Sequence, residues 1–319
     1  MRVLITGGAG FIGSHLVDRL LTEPRPGEPD YEIVVFDNLR RGRRAHLEPQ
    51  LSAGRVRLIE GDIRDEAALS AAMQGVEVVF HLAAQANVIG SEADKDYAFT
   101  ANVVGTYTLL KTAERAGARR VIFSSSREVY GDPETLPVGE DAPLAPKNAY
   151  GASKVAGEMY YRIAQARQVL ETVIFRLANV YGPRDSERVI PLWLERARQG
   201  EDLLVYGGDQ LIDFVWVGDV VEALARAARP DQPQLVGQTV NVGTGIGTPI
   251  LELAQRILTL SGSQCKLRQV PARSVEVRRY VADTRRLADL LGLKPAPNLA
   301  HLPAMLDAQT DPITIVSRQ

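Results

Sequence analysis

Two positions one helical turn apart carry the clearest chemistry in this sequence. Tyr150-Gly151-Ala152-Ser153-Lys154 sets a phenol and an ammonium at i and i+4, on one face of a helix. A lysine cation, joined by an oxidised nicotinamide, lowers the phenol pKa and makes the phenolate a usable base near neutrality. Upstream, Ser124-Ser125-Ser126 offers hydroxyls at a strand end, where ligands gather in open α/β sheets. Tyr-x-x-x-Lys alone is common on amphipathic helices. Its meaning here comes from the start of the chain, Thr6-Gly7-Gly8-Ala9-Gly10-Phe11-Ile12-Gly13. Glycines at 7, 10 and 13 follow an apolar strand and open a helix. That context permits a tight turn, close approach to a pyrophosphate and a helix N-terminus facing the anion.

Asp37 closes the second apolar run, roughly 20 residues further on, where an acid meets the adenosine ribose. A carboxylate there accepts from ribose hydroxyls and repels a 2′-phosphate, which selects NAD over NADP. Arg40 and Arg41 read as a solvated basic loop. Gly61-Asp62-Ile63 leaves two readings open: Asp62 beside the adenine, or a strand-end turn with a helix cap.

These groups need a scaffold, and the pattern supplies one. Apolar runs at 2–6, 32–37, 55–60, 76–82, 120–124 and 172–176 predict strands. Helical spacing predicts helices at 11–21, 66–73, 102–116 and 150–167. A Pro/Gly-rich turn is expected at Pro24, Pro26, Gly27 and Pro29. Continuous β-branched runs such as Ile33-Val34-Val35-Phe36 indicate strands buried on both faces. The fold class is therefore α/β, a Rossmann-type doubly wound parallel sheet with a smaller C-terminal substrate-binding lobe. The NAD-binding part is expected over 1–178, with 214–243 returning to it, and the lobe mainly over 179–319. Further helices are expected at 190–199, 219–228 and 250–260, and a strand at 238–242.

Composition sets outer bounds. The chain has 319 residues, 45% of them hydrophobic, enough for a sizeable core. With 37 Lys+Arg against 39 Asp+Glu the net charge is −2, unlike a dedicated nucleic-acid binder. The one cysteine, Cys265, excludes a disulfide framework, and four dispersed histidines give no zinc spacing. Without a membrane-length apolar run or a signal-peptide pattern at the start, a cytoplasmic protein is expected.

The ordered motifs resemble an extended short-chain dehydrogenase/reductase of the nucleotide-sugar epimerase/dehydratase family. The resemblance runs to about residue 292. It rests on 6–16, Phe36-Asp37-Asn38-Leu39, Gly61-Asp62-Ile63, His81-Leu82-Ala83-Ala84-Gln85, 123–131, 150–154, 176–183, Asp213-Phe214 with Gly218-Asp219-Val220, and Asn241-Val242-Gly243. It implies NAD along Gly7, Gly10, Phe11, Ile12 and Gly13, Asp37 and Asn38, Asp62 and Ile63, and Leu82, Ala83 and Ala84. Lys154 would hold the nicotinamide ribose. Tyr150 would be the acid/base, and Ser126 would bond the sugar hydroxyl that is oxidised, with Arg127 beside it. Asn179 and Arg273 would contact the nucleotide diphosphate of the substrate, and Glu276 its ribose; a plain charge pair is the other reading of Arg273 and Glu276.

The implied chemistry is oxidation at C4 of the sugar, then return of the hydride to the other face (an epimerase) or elimination. The epimerase reading, with a UDP-hexose as substrate, is the leading expectation. Glu128 marks the alternative, because dehydratases and decarboxylases of the family place Glu before Val-Tyr-Gly. The 4,6-dehydratases pair it with an Asp proton donor, and here that position is Arg127, which cannot donate a proton at working pH. Glu128 thus reads either as a base or as the partner of Arg127. A non-catalytic NAD(H)-sensing role is the alternative of another class. Ile212 stands where relatives carry an arginine, with Arg184 or Arg188 as possible substitutes. A homodimer is expected through the helices near 102–116 and 150–167, where Ala152, Ala156, Gly157 and Ala164 suit either close helix contact or ordinary core packing.

Overall fold

The computed structural model describes residues 1–22 and 28–309; the turn expected at Pro24, Pro26 and Gly27 lies outside them. The strands of the first half are β1 (Arg2–Thr6), β2 (Glu32–Asp37), β3 (Val56–Glu60), β4 (Val78–His81), β5 (Arg120–Ser126) and β6 (Glu171–Leu177). Then follow β7 (Asn179–Tyr181), β8 (Leu203–Tyr206), β9 (Leu211–Trp216) and β10 (Thr239–Val242). Seven strands form one parallel sheet in the order β10-β6-β5-β4-β1-β2-β3. The chain runs outward from β1 to β3 and then returns to β4 on the other side of β1. That reversal opens a crevice at the carboxyl ends of β1 and β4, the place where such sheets bind ligands.

The apolar runs are continuous because each strand feeds two cores. Val3, Ile5, Val35, Phe80, Ile122 and Phe175 pack on one face, and Leu4, Val34, Phe36, Val79, Val121 and Phe123 on the other. The helices Phe11–Leu21 and Val217–Ala228 cover the first face; Glu66–Ala72, Gly105–Ala116 and Ala149–Ala166 cover the second. A third core gathers Trp193, Leu194, Phe214, Leu253 and Ile257. Around it lie the helices Val189–Arg198 and Ile250–Ser261, with β9 between β11 (Gly247–Pro249) and β13 (Arg279–Tyr280), and β12 (Leu267–Val270) paired with β8.

Three departures from the sequence reading bear on the site. Strand β5 runs on through Ser125 and Ser126, which pair with Arg176 and Leu177 of β6. The helix expected from 102 is preceded by a π-turn, Thr100–Val104, where the Asn102 amide bonds Gln85 and Ser153. The helices Val88–Ala93 and Lys95–Phe99 and the strands β7, β8, β9, β11 and β13 were not anticipated. They are short and give too few residues to show a period.

His81, at the end of β4, is buried between the Thr6 and Thr106 hydroxyls at 2.9 and 3.0 Å. Burial, with Lys154 adding to it, pushes the imidazole pKa from 6.5 down to about 3. The unfolded chain takes up this proton first, so the stabilisation is complete above pH 6.5 and is lost as pH falls toward 3. From about pH 7.5 to about pH 5 this group is expected to remove about 2 kcal/mol of stability. Urea unfolding of the wild type and of His81→Asn at both pH values checks it; parallel losses in the two proteins would contradict it.

Candidate active site

Gly7 follows β1 at φ +73°, a left-handed conformation, and a Cβ there would lie 2.7 Å from the Ala83 nitrogen. Gly13 is held closer still: its Cβ would fall 2.2 Å from the Gly7 carbonyl oxygen. The Phe11–Leu21 helix therefore starts against the strand end. Its N-cap Gly10 provides no side-chain cap, and its first turn holds no acid. The first N–H groups are left for an anion, favoured by the helix dipole. Arg41 and Arg184 line the same cavity, and each keeps one buried guanidinium nitrogen without a partner. A glycine cradle, a bare helix start and under-bonded arginines fit a dinucleotide pyrophosphate.

At the end of β2 Asp37 is buried, accepting from the Ala9 and Leu39 N–H groups at 3.0 and 2.9 Å. Burial raises its pKa against those bonds. Asp62 is held down to about 2, mainly by Arg64, and Asn38 also donates to it at 3.1 Å. Asp62 makes a strand-end turn, accepting from the Arg64 N–H at 2.9 Å, while the cap of the helix that follows belongs to Asp65. The arginine loop is not simply solvated. Arg40 lies 3.8 Å from the Tyr97 ring centroid and 3.7 Å from Asp94, and Arg41 pairs with Glu187. Ile63, Leu82, Ala83 and Ala84 complete this wall.

At the chemical end Asn148 caps the Ala149–Ala166 helix by accepting from the Gly151 N–H at 2.8 Å. Tyr150 sits in the first turn, open in part to the cavity, with its phenol hydrogen-bonded to Ser126. Lys154 is buried and donates to the Ser124 carbonyl at 2.8 Å. Burial raises the Tyr150 phenol, with Arg188, Ser126 and Arg41 opposing it and Glu128 adding to the rise; the Lys154 ammonium lies 5.7 Å from the phenol ring. Burial also drops Lys154 itself to about 7. A low-dielectric wall disfavours both charged forms at once.

Glu128 is buried, 2.9 Å from Arg127, and accepts from Asn148 at 2.8 Å. Beyond it, Asn179 keeps a buried, unpartnered carbonyl oxygen. Arg273 and Glu276 pair at 3.0 Å, with the guanidinium stacked 3.6 Å over Tyr206. Ile212 has no cation in its place, but Arg184, paired with Asp18, and Arg188, paired with Asp185, line the same space.

All the residues named above as candidates for catalysis, NAD or substrate lie on the walls of one cavity of about 740 Å³. Asn148, Tyr97 and Tyr206 were missed. Only Asn148 had a signal, an asparagine directly ahead of a helical run. Among the described residues no cluster of His, Cys, Asp or Glu could hold a metal ion, and no helix is long and apolar enough to cross a membrane.

The family model for the NAD dependent epimerase/dehydratase family matches residues 3–243. A UDP-glucose 4-epimerase of Mycolicibacterium smegmatis is 38% identical over 94% of this chain and 96% of its own length. A dTDP-glucose 4,6-dehydratase from Streptomyces venezuelae, solved with NAD bound, superposes with TM-score 0.92 at 34% identity, covering 97% of each chain. The UDP-glucose 4-epimerase of Thermotoga maritima, solved with UDP-glucose, gives 0.89 at 31% identity over 98% of this chain and 100% of its own. The chain belongs to the NAD-dependent epimerase/dehydratase family, whose members act on nucleotide sugars. Relatives that are enzymes by name lend no weight to the sensing role.

Proposed function

We propose that this chain is an NAD-dependent 4-epimerase of a UDP-hexose. The observation that carries this reading is the Arg127–Glu128 pair. Elimination needs a free base for the C5 proton and an acid for the leaving group. Glu128 has both carboxylate oxygens engaged, by Arg127 and Asn148, and Arg127 supplies no proton. Neither partner is available for elimination. The similarity to the Mycolicibacterium epimerase supports the UDP carrier.

When bound, NAD⁺ accepts the hydride from C4 and gives it back. Tyr150 takes the proton of the C4 hydroxyl, Ser126 orients that hydroxyl, and Lys154 holds the nicotinamide ribose. Asn179, Arg273 and Glu276 grip the nucleotide diphosphate, with Arg188 a further cation toward it. The 4-ketose turns over in the pocket, and Tyr150 returns the proton. In this reading the NAD-binding part is 1–178 with 214–243, and 179–319 mainly forms the substrate lobe. Pairing of β10 with β6 supports the return of 214–243.

Product analysis by NMR with UDP-galactose, UDP-glucuronate and dTDP-glucose tests the reading. The expected product is a 4-epimer, with no release of water or CO₂ and no solvent deuterium at C5. Glu128→Gln is expected to keep more than about a tenth of the turnover, since no step passes through that carboxylate. Near-complete loss, with water or CO₂ released by the wild type, would move the assignment to a lyase.

A homodimer is part of the proposal. Phe99, Val104 and Tyr107 are exposed beside Met159, Tyr160 and Ile163 of the Tyr150 helix, and Tyr107 lies 5.3 Å from Tyr160. Such a contiguous apolar face suits a partner. Gly157, expected in that contact, serves the core instead: a Cβ there would lie 2.8 Å from Phe123.

A further inference from the structure

The three serines of β5 each meet one polar residue of the Tyr150 helix, and the three helix residues are spaced by four. Ser126 bonds the Tyr150 phenol, the Ser124 carbonyl accepts from Lys154 at 2.8 Å, and the Ser125 hydroxyl donates to Glu158 at 2.6 Å. The first two contacts belong to the reacting pair. The third belongs to a carboxylate with no exposed surface, which the mechanism above does not use.

Glu158 is fixed from a second side. Arg176 of β6, equally buried, grips both its oxygens at 2.9 and 2.7 Å. Arg176 in turn donates to the Tyr130 hydroxyl at 2.9 Å and the Glu140 carbonyl at 2.8 Å, and Tyr130 donates to Asn241 at 2.7 Å. The carboxylate therefore has one position, with a buried guanidinium against it.

Lys154 has no such company. The groups around it are the Phe123 ring at 4.8 Å, the Ser124 carbonyl, the Tyr150 ring at 5.7 Å and, from β4, the imidazole of His81, uncharged at neutral pH. Among the described residues the one charge that favours its ammonium is Glu158, one turn further along the helix. Arg176 and the half-exposed Arg162, 3.6 Å from the carboxylate, are the cations paired with Glu158.

We propose that Glu158 is a positioning residue for the Tyr150–Lys154 pair. Locked by Ser125 and Arg176, its carboxylate supplies the negative charge that keeps the buried ammonium cationic beside the phenol. The proposal rests on reading Tyr150 and Lys154 as the reacting pair. A buried ammonium with no counter-charge sheds its proton, and the phenolate then loses its cation. Arg176, 2.7 Å away, gives the buried carboxylate its own counter-charge.

The test uses the full chain with isotope-labelled lysine side chains. Six lysines keep the NMR spectrum simple, and Lys154→Arg identifies the Lys154 signal. In the wild type without nucleotide that signal is expected to titrate with a midpoint of about 7. Glu158→Gln is expected to lower the midpoint by about one pH unit or more, and Glu158→Asp, which keeps the charge, to restore most of it. If Glu158→Gln unfolds because Arg176 is left unpaired, the double variant Glu158→Gln/Arg176→Gln removes both charges and is expected to show the same fall. An unchanged midpoint in either folded variant overturns the proposal.

In turnover, Glu158→Gln is expected to narrow the pH profile from both sides, the alkaline limb following Lys154 down and the acid limb following Tyr150 up. A merely structural role scales the profile without moving its limbs, and that result also counts against the proposal. The titration needs no substrate. Failure of every nucleotide sugar to react would defeat the proposed function and still leave the role of Glu158 decided.

Discussion

A Tyr150→Phe variant is expected to fold, to retain NAD, and to turn over a nucleotide sugar about a hundred- to ten-thousandfold more slowly than the wild type. The phenol hydroxyl is the group placed to exchange a proton with the substrate, and the nearby Lys154 is already committed to the Ser124 carbonyl. Loss of the hydroxyl removes one hydrogen bond, to Ser126, and no core volume. Stability should therefore move little. Paired measurements of kcat/KM and of the urea midpoint separate the two effects. A variant with near-normal turnover would take the proton-transfer role away from Tyr150; one that unfolds early would make the phenol a structural group.

The second large effect is expected at Gly13. An alanine there would set its Cβ 2.2 Å from the Gly7 carbonyl oxygen and 2.6 Å from the Gly8 Cα, both backbone atoms that cannot swing away. The helix start must back off from the strand end, which displaces the N–H groups that face the pyrophosphate. Gly13→Ala is expected to weaken NAD binding by about a hundredfold or more and to destabilise the protein by about 1–3 kcal/mol. Gly10→Ala makes the contrast, because a Cβ at that position meets only the Gly7 oxygen at 3.2 Å. Its stability should be nearly normal while its affinity falls, since the methyl occupies the space of the phosphates. Dinucleotide retained after gel filtration, read beside the unfolding midpoint, distinguishes them. Equal behaviour of the two variants would contradict the cradle.

Much of this site is legible in the sequence because its parts are local. The glycines lie within one turn of chain, and Tyr150 and Lys154 share one helical face. The strands that present them are buried on both sides, so they stand out as unbroken apolar runs. The pieces that escape the reading are joined only by the fold. Asn38 and Tyr97, which share a hydrogen bond, are 59 positions apart, and nothing near Arg188 announces that its charge will act on Tyr150. The short strands β7, β9, β11 and β13 owe their existence to one another rather than to a local pattern. Gly157 shows the opposite limit: a small residue on a helix suits a partner subunit or the core alike, and only the fold shows that the Phe123 ring is the neighbour it makes room for. The phenol is the most instructive case. Spacing alone pairs it with Lys154, but how far burial opposes both charges depends on the packing around them.

The account stands on a hydride that leaves C4 of a sugar and comes back to the same carbon. UDP-galactose carrying deuterium at C4, incubated with the NAD-loaded protein, tests this most directly. The predicted result is UDP-glucose with the deuterium still at C4, read by NMR. Deuterium moved to a neighbouring carbon, or lost to water, would contradict it.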